Sequence, residues 1–266
     1  MKAVALRVGD TTLQRRRMAT ILAELDFRVF MQPAVGGGGS YLTYLLYGLG
    51  LTLLLSLSSW ILAFAVGSLI GVMRTLRGSV LPRVGACYVE IFRNIPLLVQ
   101  LFIWYFVLPE LVPFFGAWFK QNLSPEIQQF VSATLCLGFF TGARVSEQVR
   151  SGIMSLGRGQ YGAGLALGFD TAQVYTLILL PVAYRIIIPT LTSEFLNLIK
   201  NTAVASTIGL VELAQRSKNM GEYTSRLYES FIAVTILYAI VNLVVMLISR
   251  NLEKATRLPG FVGGKK

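Results

Sequence analysis

The sequence predicts an all-α integral membrane protein with about five transmembrane helices, and three observations carry that prediction. Of 266 residues, 54% are hydrophobic and 14% charged, against about 25% charged in a typical soluble domain. The run Tyr41–Met73 extends for 33 residues without a charge, more than the roughly 20 that a helix needs to cross a bilayer. The basic residues cluster at the ends of such runs, where topology signals lie. The net charge of +11 therefore does not mark a nucleic-acid partner, which would need a basic patch on a water-soluble face.

The elements follow in order. Residues 1–40 form an N-terminal extension with six basic residues, among them Arg15, Arg16 and Arg17. Either these lie too far from the first span to weigh on topology, or translation starts at Met18 and residues 1–17 are an over-long start. No apolar run suited to a signal peptide separates the arginines from residues 36–40. That GGGGS stretch lacks the lysine and helix start of a phosphate loop and reads as a flexible linker.

The membrane domain covers 41–252, and a basic tail occupies 253–266. After the first span comes a second at 95–118, broken only by Glu110, with an aromatic belt of Phe102, Trp104, Tyr105 and Phe106. A third, 127–143, continues as a helix through Arg150. The fourth, 181–199, is weaker and carries Arg185 and Glu194; residues 201–211 either extend it or form a re-entrant piece. The fifth is 230–249. Segments 74–93 and 144–185 and residues 250–266 together hold 13 basic residues, and the opposite connections hold five. Positive-inside then puts the C-terminus and segment 144–185 in the cytoplasm, and an odd span number puts the N-terminus outside.

Little catalytic chemistry is available. The chain has no histidine, which removes HExxH metal sites, Ser-His and Cys-His nucleophile pairs and histidine proton relays. Cys87 and Cys136 form no CxxC motif and read as apolar core residues. No GxxxxGK[ST] and no paired-carboxylate motif occurs, so no catalytic residue, metal or cofactor is expected. An intramembrane enzyme is disfavoured on those grounds. An ion channel would be expected to show a filter loop or a charged pore ring.

What the loop after the third span does is suggested by its pattern. Ala163, then Gly168, then nine residues to Ile178, then Leu180-Pro181 resembles the signature loop Glu-Ala-Ala-x3-Gly-x9-Ile-x-Leu-Pro of ABC importer permeases. VEIFRNIPLLVQ, Glu147-x-x-Arg150 with Gly152-Ile153, Leu180-Pro181-x-Ala183-x-Arg185, Pro189 and Lys200-Asn201-Thr202 resemble the polar amino-acid branch. The likeness runs over about 40–260 and is greatest to permease subunits of glutamate/aspartate importers. It implies a type I ABC importer permease fold in a bacterial inner membrane, importing acidic amino acids, or glutamine or another polar amino acid.

The same resemblance implies a short coupling helix within 158–181 that docks in a groove on an ATP-hydrolysing subunit. Gly162, Ala163, Gly168, Ile178, Leu180 and Pro181 occupy its motif positions. Implied partners are an ATP-binding subunit dimer, a second permease subunit in a heterodimer, a periplasmic substrate-binding protein and membrane lipid. The chain departs from the pattern at Gly162, where the family has glutamate, and at Gly164, where it has alanine. Each glycine costs a helix about 1 kcal/mol relative to alanine.

Several residues have both a structural and a functional reading. Arg144 stands where relatives in this branch have tyrosine. It either pairs with Glu147 or snorkels to the surface, or else it faces the translocation path and meets a substrate carboxylate through its two-pronged donors. Glu147 and Arg150, three apart on a helix, read as a local pair, and Glu147 is with Arg144 the other candidate for the substrate path. Arg93, Arg150 and Arg185 read as boundary anchors. Gly67-x3-Gly71 and Gly138-x3-Gly142 are either close helix contacts or chance spacing in a chain with 25 glycines.

Overall fold

The computed structural model describes residues 25–76 and 80–256, and these are almost wholly helical, with one isolated antiparallel bridge between Pro33 and Ser40. The arginine run at 15–17, the alternative start at Met18, Arg77, and the tail from 257 onward lie outside the described residues. Among the described residues nine helices follow the short 3₁₀ turn: α1 Tyr41–Met73, α2 Leu81–Asn94, α3 Leu97–Leu111, α4 Pro113–Asn122, α5 Pro125–Ser155, α6 Arg158–Ala166, α7 Thr171–Ile208, α8 Leu213–Thr224 and α9 Leu227–Thr256.

Three of these, α1, α7 and α9, are long and apolar enough to cross a membrane, and α2 with α3 makes a fourth span if that pair, bent by 103°, is counted as one. The third expected span, α5, has 31 residues, about 46 Å of helix, so length suffices, but its composition is more polar. The reason is position. Helix α5 packs against α1, α2, α3 and α7, and fourteen of its residues are buried. A helix covered by protein has no need of a lipid-facing surface. Helix α9 is the opposite case, with only 6% of its apolar window buried by its own chain.

Boundaries moved where prolines intervene. The second expected span ends at Leu111, because the residue before a proline is pushed out of the α region, and Val112 sits at φ −116°, ψ 82°. Turns of π-helix at Ile103–Val107 and Val174–Leu179 fall just before or around Pro109 and Pro181. A proline removes one N–H and crowds the carbonyl four residues back, and a widened turn relieves both. Residues 202–208 extend the fourth span as a 3₁₀ segment, and Gly209 at φ +91° ends it.

Glycine-mediated contact holds α1 to α5. A Cβ on Gly67 would lie 2.7 Å from the Gly142 carbonyl oxygen and 2.6 Å from Val145 Cβ; one on Gly71 would lie 2.7 Å from Val149 Cβ. On the other helix, a Cβ on Gly138 would meet Leu62 Cδ2 at 2.5 Å. Both small-residue pairs are thus real contacts, the form of helix association expected where lipid removes any hydrophobic drive between helices.

At the α8 end a buried carboxylate ties three helices. Glu212 caps α8 by accepting from Gln215 N–H at 2.9 Å, and its other oxygen accepts from Thr52 on α1 at 3.2 Å and Tyr238 on α9 at 3.0 Å. Leu213 N–H in turn donates to Thr52 Oγ1. Beside it, the 3₁₀ turn Phe27–Met31 buries Val29 against α1, α8 and α9. Asp26 N–H donates to the buried Glu229 at 3.0 Å. The GGGGS stretch is not an extended linker. Gly36 to Gly39 all have φ between +83° and +113°, values that only glycine adopts readily, and Ala34 N–H donates to Gly39 O at 2.8 Å across the loop.

Candidate coupling surface and charged face

Helix α6 lies between two spans and its local chemistry is written in its own residues. Its C-terminus is a Schellman motif: Phe169 N–H donates to Gly164 O at 3.2 Å and Gly168 N–H to Leu165 O at 3.0 Å. Gly168 sits at φ +88°, the left-handed position this motif requires. Two residues on, Asp170 and Gln173 form a reciprocal capping box that starts α7. The chain therefore turns sharply and returns to the bundle, holding α6 against it.

The motif positions divide between bed and surface. Gly164 is buried, with the Val174 and Ile178 side chains 2.8 and 3.0 Å from where its Cβ would be. Ile178 packs back into the core cluster beneath, and Leu180 beside it, before Pro181 opens the α-helical part of α7. Gly162 and Ala163 are exposed, and nothing lies within 4 Å of a Cβ on Gly162. Gly164 thus serves the close approach of α6 to α7, which the sequence pattern alone presents only as a helix penalty. Around Ala163 the outward surface is apolar: Leu165, Leu167, Leu177 and Met154 are exposed, Leu167 by 76%. Leu165 and Leu167 thus leave exposed apolar side chains beside Ala163, at a helix too short to cross a membrane.

The second feature is a charged face on α5. Arg144, Glu147 and Ser151 share one stripe of the helix. Glu147 does not pair with Arg144. Its nearest cation is Arg74, at the end of α1, with Nη1 2.9 Å from Oε1, close but not aligned as a hydrogen bond. Arg93 at the end of α2 donates to the same oxygen at 3.4 Å. Arg150, expected as the local partner, stands farther off at 3.9 Å. Arg93 and Arg150 are accordingly ion-paired to one carboxylate, whereas Arg185 is exposed and makes no ion pair among the described residues.

Arg144 turns instead to α7. Its Nη1 lies 3.9 Å from Glu194 Oε2, and its guanidinium carbon lies 5.0 Å from the Phe140 ring centre. Glu194 Oε2 is buried and has no hydrogen bond, so Arg144 is the cation that balances it. The partner lies fifty residues away, beyond the reach of any helical spacing rule. The Arg144 side chain nevertheless remains 43% exposed. Charged side chains at membrane depth face protein or a water-filled cavity, not lipid. Arg93, Arg144 and Arg150 keep part of their side chains open on this face.

Two other expectations changed. Cys136 is buried as a core residue but Cys87 is exposed on α2. The aromatic belt is split: Phe106 is exposed, whereas Trp104 stacks on Phe139 at 5.3 Å inside the bundle. Among the described residues no group of three or more metal-ligating side chains comes together.

Comparison with known proteins agrees with this architecture. The family model described as binding-protein-dependent transport system inner membrane component matches residues 63–258. The glutamate/aspartate import permease protein GltJ of Escherichia coli K12 is 49% identical over 90% of this chain and 98% of its own. The glutamate/aspartate import permease protein GltK of E. coli O6:H1 is 30% identical, over 81% of this chain and 94% of its own. The crystal structure of an amino acid ABC transporter with histidines superposes with a TM-score of 0.68 at 26% identity, covering 81% of this chain and 95% of that one. This chain is a multi-pass permease with the type I importer fold, and it belongs to the family of binding-protein-dependent transport system inner membrane components.

Proposed function

We propose that this chain is one permease subunit of an ATP-driven importer of acidic amino acids. The observation that carries the proposal is α6: a short helix outside the spans, pinned by a Schellman turn and a capping box, with its outward face apolar. Such a helix suits a groove on a separate ATP-hydrolysing subunit, since this chain has no nucleotide-binding motif of its own. Gly162 and Ala163 face the groove, while Gly168, Ile178, Leu180 and Pro181 fix the helix to the bundle. Closure of two ATP-binding subunits would then move α6 and rock the spans between outward- and inward-facing states.

The substrate reading rests on the likeness to GltJ and GltK, both named for glutamate and aspartate import, and on the exposed arginines of the α5 face. Guanidinium holds a carboxylate by two parallel hydrogen bonds. Two distinct relatives with one substrate class support a heterodimer with a second permease. The basic residues at the α6 end support a reading with that end in the cytoplasm and the N-terminal 3₁₀ turn on the opposite, periplasmic side, where a substrate-binding protein would deliver the amino acid.

The test is uptake by vesicles containing the complex with its ATPase and second permease. Labelled glutamate should accumulate only with ATP inside, and unlabelled aspartate should compete more strongly than glutamine. Equal competition by glutamine would remove the acidic assignment, and ATP-independent accumulation would remove the importer reading. Within the same assay, Gly162→Glu is expected to keep or raise the rate, because the site is open and an acidic contact is gained. Adding Gly164→Ala is expected to lower the rate of that variant several-fold, because the new methyl pushes α6 off Val174 and Ile178. Equal rates for the single and double variants would show that the packing there gives way.

A further inference from the structure

A cavity of about 370 Å³ lies between α1, α7 and α9, apart from both features above. Its size is that of small-molecule pockets, about 300–1,000 Å³. Four rings line it in two packed pairs, Trp60 with Phe195 at 5.1 Å and Phe64 with Tyr184 at 5.5 Å between centres. The Thr192 hydroxyl on its wall is already committed to Ile188 O at 3.1 Å. The interior therefore offers apolar surface and little to bind a polar solute.

The rim at the α6 end has the opposite chemistry. Arg185 stands on the lining stripe of α7 at 185, 188, 192 and 195, one turn nearer α6. On α9, Arg250 and Lys254 flank the lining residues Ser249 and Leu252. All three cations are exposed, and none makes an ion pair among the described residues. Glu253 is the carboxylate in that turn, so three cations face one acid. An apolar slot in the membrane layer ending in an excess of positive charge matches an amphiphile with an anionic head.

We propose that the cavity takes an acyl chain of an anionic phospholipid from the leaflet on the α6 side, with its phosphate held between Arg185 and the basic turn of α9. Apolar walls gain dispersion contacts from whatever apolar group packs against them, and a lipid chain supplies these along the whole slot. Basic residues beside spans attract anionic headgroups. A transmembrane helix of the partner permease is the competing occupant, but it would cover Arg185, Arg250 and Lys254 without supplying the matching negative charge unless it carried acids there.

The complex, purified with its partner subunits in mild detergent, decides the matter by native mass spectrometry with dioleoyl-phosphatidylglycerol and dioleoyl-phosphatidylcholine as probes. One tightly held phosphatidylglycerol is expected on this subunit, at least tenfold preferred over phosphatidylcholine. Thr192→Trp, which fills the cavity, should abolish it. The triple change Arg185→Gln, Arg250→Gln, Lys254→Gln should reduce the phosphatidylglycerol preference to near parity. Unchanged binding by either variant overturns the proposal. So does a cross-link from Ser249→Cys, in a Cys87→Ser background, to a span of the second permease. If Thr192→Trp fails to assemble, the rim variant decides alone, since its three positions are exposed.

Discussion

Gly67→Leu is expected to abolish the assembled permease, while Gly50→Leu on the same helix leaves it intact. Both changes add the same side chain to α1, so lipid insertion and helix propensity shift alike. They differ in what the new Cβ meets. At Gly50 nothing lies within 4 Å; at Gly67 the Gly142 carbonyl oxygen is 2.7 Å away and Val145 Cβ 2.6 Å away. A backbone oxygen cannot rotate aside, so α1 must move away from α5 along its length, and the Gly71–Val149 contact is lost with it. Overpacking a core costs roughly 1–3 kcal/mol and more when the obstacle is backbone, and here the displaced helix is the one on which the bundle is built. Fluorescence-detected size exclusion of the detergent-extracted complex checks this. A Gly67→Leu peak as large as that of Gly50→Leu would show that α1 and α5 can separate without loss.

Arg144→Tyr is expected to lower glutamate and aspartate uptake about 10- to 100-fold, with the complex still assembled and still hydrolysing ATP. The range follows from the roughly 1.5–3 kcal/mol carried by a hydrogen bond to a charged group. Arg144 is held only loosely by Glu194, at 3.9 Å and without a hydrogen bond, and is 43% exposed on the charged face. Its donors are therefore available to a carboxylate that passes. Arg144→Lys should recover part of the rate, because it keeps the charge but not the planar fork.

The competing account is that Arg144 only neutralises the half-buried Glu194, whose Oε2 is shut off from solvent, since removing the cation strands that carboxylate. The double variant Arg144→Tyr, Glu194→Gln separates the two. If it regains the unmodified uptake rate, Arg144 is structural. If uptake stays low while assembly is normal, the guanidinium acts on the substrate. Unmodified uptake by Arg144→Tyr alone would also remove it from substrate selection.

The sequence by itself determined the class of the protein, the long apolar runs of α1, α7 and α9, and the place of the α6 loop. Bilayer thickness is a one-dimensional constraint, so a 33-residue uncharged run announces α1 without any knowledge of its neighbours. The α6 loop was legible for a similar reason: its turn, cap and proline act within a few residues of one another. Helix α5 was recognised from its length and apolar start, although its composition falls short of a lipid-facing span because other helices cover it.

Tertiary structure alone decided the rest, and in each case the deciding contact is long-range. Gly67 and Gly138 could have been chance spacings until α1 and α5 were seen to touch through them. Glu147 sits three residues from both Arg144 and Arg150, yet Arg74 and Arg93 approach it more closely because the ends of α1 and α2 converge there. Arg144 finds its counter-ion on α7, and Gly164 is required by side chains ten and fourteen residues later. The GGGGS stretch folds because its ends are tied together by hydrogen bonds, which composition does not reveal. Helical periodicity fixes which side chains share a face. It does not fix which other helix that face will meet, because that depends on the packing of several helices at once.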